Sequence, residues 1–192
     1  MKYRYLTLGL MSATLTILSC NKNAENPASN TNDSTEIKQK LAEQEKDKLE
    51  KPYHPEDNAE EKIATLISQA QKENKNIILQ AGGNWCIWCL RFNDYINKTP
   101  EIKEIIDQNY LYYHLNYSKE NENKALFEKY GNPGEKYGYP VFIVLDQTGK
   151  VIHIQDSAVL EENKGYSLDK VKAFFNEWKP KNSKNKLRLS FL

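Results

Sequence analysis

Two cysteines three residues apart stand inside an aromatic frame, Trp85-Cys86-Ile87-Trp88-Cys89. Thiols at this spacing can be joined and parted by redox chemistry when they open a helix that follows a strand. The first thiol then meets the positive end of the helix and its unpaired amides, which favour thiolate over thiol. The second lies one turn inside, close enough to attack a mixed disulfide on the first and release whatever is bound there. This reading makes Cys86 the nucleophile and Cys89 the resolving thiol.

Three other chemistries compete for the same pair. Zinc needs about four ligands, and His54, His114 and His153 are scattered far from the cysteines. A c-type haem would need His after the second Cys, but residue 90 is Leu. A purely structural bridge stays open, although so short a loop removes little chain entropy. Redox exchange is the reading adopted, with no metal and no cofactor.

The pair needs a strand before it and a helix under it, and the surrounding pattern supplies both. Ile77 to Ala81 is a short apolar run that reads as a buried strand, and Cys86 to Asn97 reads as helix. Ile63, Leu66, Ile67 and Ala70 recur at helical spacing, with Asp57 or Asn58 as N-cap. Thr99-Pro100-Glu101 opens another helix. Strands are predicted from Tyr110 to Tyr117, Val141 to Leu145 and Lys150 to Gln155, the last two joined by a turn at Asp146 to Gly149. Ala125, Leu126 and Tyr130 mark a helix, and Leu168, Val171, Phe174, Phe175 and Trp178 mark the last one. The predicted order, α, β, α, α, β, α, β, β, α, is an α/β domain with a central mixed sheet flanked by helices.

The motif, the strand before it, and Gly138-Tyr139-Pro140-Val141 entering the penultimate strand together resemble the thioredoxin superfamily, over roughly Asn58 to Lys179. The closest flavour is the exported thioredoxin-like proteins with an extra N-terminal helix. The resemblance implies a thioredoxin fold, a cis bond before Pro140 lying against the cysteine pair, and a Tyr139 backbone that pairs with a substrate peptide. Trp85, Trp88 and Tyr139 are then candidates for an aromatic rim that binds substrate. Residues Asn132 to Tyr137 are rich in Gly and Tyr, and Tyr130 and Tyr137 read equally well as rim or as core. One departure stands out. Gln80 lies six residues before Cys86, where thioredoxin has a buried acidic residue that handles the proton of the second thiol. An amide cannot accept that proton at neutral pH, so Gln80 is read as a supporting residue and resolution is expected to keep quickening with pH above 7.

The first nineteen residues read as an export leader: Lys2 and Arg4, then an apolar run from Leu6 to Leu18. Ile17-Leu18-Ser19-Cys20 resembles the lipobox of bacterial lipoproteins, which implies a lipid anchor on Cys20; an ordinary signal peptide with an incidental Cys is the other reading. Residues 20–57, polar and then rich in Glu, Lys and Gln, read as a tether in which Glu36 to Lys51 forms at most a solvated helix. Residues 58–180 form the folded domain, and 181–192 a basic tail read as a solvated end.

Composition agrees with an exported, electrically balanced protein. The chain has 192 residues, 39% hydrophobic and 28% charged, with a formal net charge of +1. That balance carries no footprint for nucleic acid, and no stretch of ~20 apolar residues exists to build a multi-spanning membrane protein. The expected function is a lipid-anchored thiol–disulfide oxidoreductase of the cell envelope. Its partners would be exported protein thiols or disulfides and a membrane redox protein. A non-catalytic lipoprotein using the same fold to bind a partner is the alternative.

Overall fold

The computed structural model describes residues 30–181, and of residues 30–34 the backbone alone. The leader, Cys20 and the tail after Lys181 lie outside the described residues. The chain divides into two units, residues 1–37 and 38–192. The second holds all the elements below except the opening turns of the first helix.

Strand β1 (Asn76–Gly82) is buried along its whole length because it is one of the two inner strands of a four-stranded sheet with order β2-β1-β3-β4. It runs parallel to β2 (Tyr110–Asn116) and antiparallel to β3 (Val141–Leu145), which pairs antiparallel with β4 (Val151–Asp156). The period-two alternation of a strand then sorts the side chains. Ile77, Leu79 and Ala81 face a core shared with Ile63 and Ala70 of α2 (Ala59–Glu73) and with Leu126 and Phe127 of α5 (Lys124–Lys129). Ile78 faces the opposite core, built with α3 (Ile87–Lys98), α4 (Pro100–Asn109) and α7 (Leu168–Glu177). Phe92, Ile102, Phe142 and Phe175 are fully or almost fully buried there, each worth roughly 1.5–3 kcal/mol of burial. The same alternation puts Gln80 under α3.

Helix ends follow local chemistry. The Asn58 side chain accepts from the Glu61 amide at 3.3 Å to open α2, and Asn74 closes it in the left-handed region at φ 52°. Pro100 occupies the first turn of α4. Two short pieces were not foreseen. A one-turn helix, α6 (Pro133–Tyr137), fills the Gly- and Tyr-rich stretch before Pro140. A hairpin of β5 (Glu161–Glu162) and β6 (Gly165–Tyr166) precedes α7 after a 3-10 turn at Ser157–Leu160. Two-residue strands have no period for a sequence pattern to reveal.

The segment before Asn58 is tied to the domain by side-chain contacts. Helix α1 (Asn30–Lys48) overlaps the stretch from Glu36 to Lys51 read as at most a solvated helix, and the second unit begins at Lys38. The physical reason lies in three side chains that charge patterning alone did not mark. Glu45 grips Arg91 of α3 with two bonds of 2.7 and 2.6 Å. Glu50 accepts from Asn93 at 3.1 Å. Tyr53, 1% exposed, is buried beside the cysteines.

Candidate active site

The site sits where β1 ends and α3 begins. A Cβ on Gly82 would stand 2.5 Å from Cys89 Sγ, so only glycine lets the strand pass this close to the sulfur. Cys86 is the N-cap of α3, in extended conformation, and its sulfur accepts from the Cys89 amide at 3.1 Å. Cys86 and Cys89 are joined in a disulfide, with Cα atoms 5.2 Å apart. Cys86 is 6% exposed and Cys89 fully buried, so attack from outside reaches the first sulfur.

The loop before β3 lies against the pair. The Tyr139–Pro140 bond is cis, as the resemblance implies. The Tyr139 carbonyl oxygen is 3.5 Å from Cys86 Sγ, and the Tyr139 side chain packs on the cluster of Tyr53, Cys86 and Cys89.

The expected aromatic rim divides into two groups. Trp85, 50% exposed, donates its indole N–H to the Tyr117 carbonyl at 2.7 Å and stands edge-on to Tyr139, which stacks on Tyr117. Trp88 leans on Tyr166 of β6 instead, and the Arg91 guanidinium lies 4.8 Å from its ring centroid. Tyr130 is core, and Tyr137 packs partly buried against the same core.

Gln80 is fully buried and fully engaged. Its Nε2 donates to the Cys89 carbonyl at 3.0 Å and to the Tyr53 hydroxyl at 2.7 Å; its Oε1 accepts from the Tyr112 hydroxyl at 2.6 Å. It therefore bonds the backbone of Cys89 and two tyrosines rather than the sulfur. Burial pushes the Tyr53 and Tyr112 hydroxyls far above the usual tyrosine range, keeping both neutral. On β2, His114 pairs in register with Gln80. Burial, helped by His54, lowers its pKa to about 4, and its Nε2 has no hydrogen-bond partner among the described residues.

Sequence reasoning missed Tyr53, and its one signal was an isolated aromatic between Pro52 and Pro55 in an otherwise charged stretch. Asn84 holds its backbone from both sides: Tyr53 N–H donates to Asn84 Oδ1 at 3.1 Å, and Asn84 Nδ2 donates to the Tyr53 carbonyl at 2.8 Å. The residue two before the nucleophile thus pins the segment to the active-site loop. Among the described residues, no group of three or more His, Cys, Asp or Glu side chains could hold a metal ion.

Residues 58–147 match a family model described as thioredoxin-like. The chain carries a thioredoxin-like domain. Among solved structures, a disulphide isomerase from Xylella fastidiosa Temecula1 is 21% identical with a TM-score of 0.59; the match covers 67% of this chain and 97% of that one. At that identity the likeness shows the fold. The C-terminal domain of DsbD from Neisseria meningitidis, in the oxidised form, is 20% identical over 64% of this chain and 97% of its own, with a TM-score of 0.47. Comparison with curated proteins returns no match. The thioredoxin-like domain brings together Cys86, Cys89, Trp88, Tyr139, Pro140 and, one layer below, Gln80; Trp85 joins through Tyr139.

Proposed function

We propose that the thioredoxin-like domain exchanges disulfides with protein substrates through a mixed disulfide at Cys86 that Cys89 resolves. The observation that carries this reading is the placement of Cys86 at the α3 N-cap, beside the cis-Pro140 loop, with Cys89 buried one turn behind it. In the reduced protein the helix end that now points the Cys89 amide at Cys86 Sγ favours a thiolate there. A substrate strand laid along Tyr139 would bring its own sulfur to Cys86, with Trp85 and Trp88 as flanking apolar surface. Wild-type protein is expected to reduce a model protein disulfide with multiple turnovers when a regenerating reductant is supplied, and Cys86→Ser to lose that activity. Stoichiometric reduction without turnover would sink the enzymatic reading.

The working place proposed is the cell envelope, with the domain outside the cytoplasm and held by lipid on Cys20. Exported protein thiols or disulfides are the proposed substrates, and a membrane redox protein is the partner that resets the pair. Among the described residues no helix is long and apolar enough to cross a membrane; the attachment proposed is through acyl chains on Cys20. Two or more chains are needed for stable anchoring. Metabolic labelling with a fatty acid should mark wild type and leave Cys20→Ser unmarked; equal labelling of both would remove the anchor.

A further inference from the structure

Hydrogen-bond direction in the network beneath Cys89 follows from obligate donors and acceptors. The Cys89 carbonyl can only accept, so the Gln80 atom facing it at 3.0 Å must be the amino group. The other end of Gln80 is then the amide oxygen, which can only accept, so Tyr112 donates to it. The second Gln80 N–H points at the Tyr53 oxygen, which therefore accepts. Each group donates to the next, and the Tyr53 hydroxyl hydrogen is left to point onward. Among the described residues no oxygen or nitrogen takes it. The neighbours of Tyr53 in the same buried cluster are the two cysteines. The Tyr53 hydroxyl and Cys89 Sγ flank the same point above Gly82, 2.9 and 2.5 Å from where a Cβ would stand.

We propose that Tyr53 is a catalytic residue whose hydroxyl donates a hydrogen bond to the Cys89 thiolate during resolution, aimed there by Gln80 and Tyr112. The inference rests on the redox reading above and deepens it. In the step itself, the Cys89 thiol loses a proton, balanced by the one the leaving substrate sulfur takes up. Its thiolate then attacks Cys86 Sγ and forms the Cys86–Cys89 bond. The bond from Cys86 to the substrate breaks, and the substrate sulfur leaves with the electron pair and takes up a proton. The cysteine pair is oxidised and the substrate reduced. Tyr53 keeps its proton throughout and stabilises the intermediate charge.

The surroundings leave this task to a neutral donor. No carboxylate or ammonium bonds Gln80, Tyr53 or Cys89 among the described residues. Of the titratable groups on neighbouring elements, Tyr112, Tyr139 and Tyr166 are held above the usual tyrosine range by burial, and His114 is neutral above a pKa of about 4. The nearby charges on α3 and the α1 segment are engaged elsewhere, Arg91 with Glu45 and Glu50 with Asn93. His54, on the same segment as Tyr53, pairs with Glu56.

The test compares wild type with Tyr53→Phe. A hydrogen bond to a charged group corresponds to a shift of about one to two pH units in the acidity of Cys89, read by thiolate absorbance in the Cys86→Ala background. The weaker acid is the better nucleophile, with a Brønsted slope of about 0.4–0.5, so resolution at pH 7 should slow only about threefold to tenfold. Above both pKa values the order should reverse, with Tyr53→Phe resolving faster. That crossing is what a merely structural role would not produce. An unchanged Cys89 titration and a parallel pH profile overturn the proposal while leaving wild-type turnover, and so the redox reading, intact. Loss of turnover in wild type itself would instead fail that reading. Should Tyr53→Phe not fold, the Tyr53 hydroxyl proton followed by NMR in reduced wild type should move downfield as Cys89 ionises; a resonance that stays put overturns the proposal.

Discussion

Cys89→Ser should accumulate mixed disulfides with client proteins, and Cys86→Ser should not. The asymmetry follows from depth. Cys86 stands at the end of the helix, next to the Tyr139 carbonyl and the opening of the site, whereas Cys89 is sealed behind it. A substrate sulfur can meet only the outer cysteine. Without Cys89 the intermediate on Cys86 has no internal attacker and persists; without Cys86 there is nothing for a substrate to join. Both variants should lose steady-state turnover by on the order of 10³-fold or more, because each removes a sulfur that forms or breaks a bond. Non-reducing gels separate the two, since only Cys89→Ser shows higher-mass adducts that dithiol reductant releases. Adducts on Cys86→Ser with none on Cys89→Ser would reverse the assigned roles. Adducts from neither would leave the bridge a structural one.

Much of this site was legible in the sequence because its signals are local. Cys86 and Cys89 lie within one turn of the same helix, and the strand Ile77 to Ala81 that positions them is a contiguous apolar run. Val141 to Leu145 emerged with the same limits in sequence and structure, since a fully buried strand writes itself as unbroken hydrophobicity. Pro140 was found through the resemblance. The layer beneath the cysteines was not legible. Gln80 was singled out for the acid it lacks, yet its three partners, Tyr53, Tyr112 and the Cys89 carbonyl, come from three segments joined only by the fold. Tyr53 arrives from a stretch whose composition reads as a tether. One aromatic among Glu and Lys carries no period, and only the clasp with Asn84 reveals that it belongs to the core. Trp88 shows the same gap: its neighbour Tyr166 sits on a two-residue strand that no pattern announces.

Gln80→Leu should destabilise the domain by about 2–5 kcal/mol, a large part of a typical stability of about 5–15 kcal/mol. Leucine fills nearly the same space, so the cost is not a cavity. It comes from what is left unpaired: the Tyr112 hydroxyl loses its acceptor, the Tyr53 oxygen loses its donor, and the Cys89 carbonyl loses a partner. Gln80, Tyr53 and Cys89 are fully or almost fully buried and Tyr112 is partly buried, and an orphaned buried polar group costs roughly 1–3 kcal/mol. Removing the orphans should therefore recover stability. In the triple variant Gln80→Leu, Tyr53→Phe, Tyr112→Phe, no hydroxyl is left without a partner, and groups sharing one network do not add. Denaturant midpoints of the oxidised proteins measure this directly. The triple variant should be more stable than Gln80→Leu alone, although it carries two further substitutions. If the losses simply add, the three side chains do not act as one network, and the directed chain of donors beneath Cys89 goes with it.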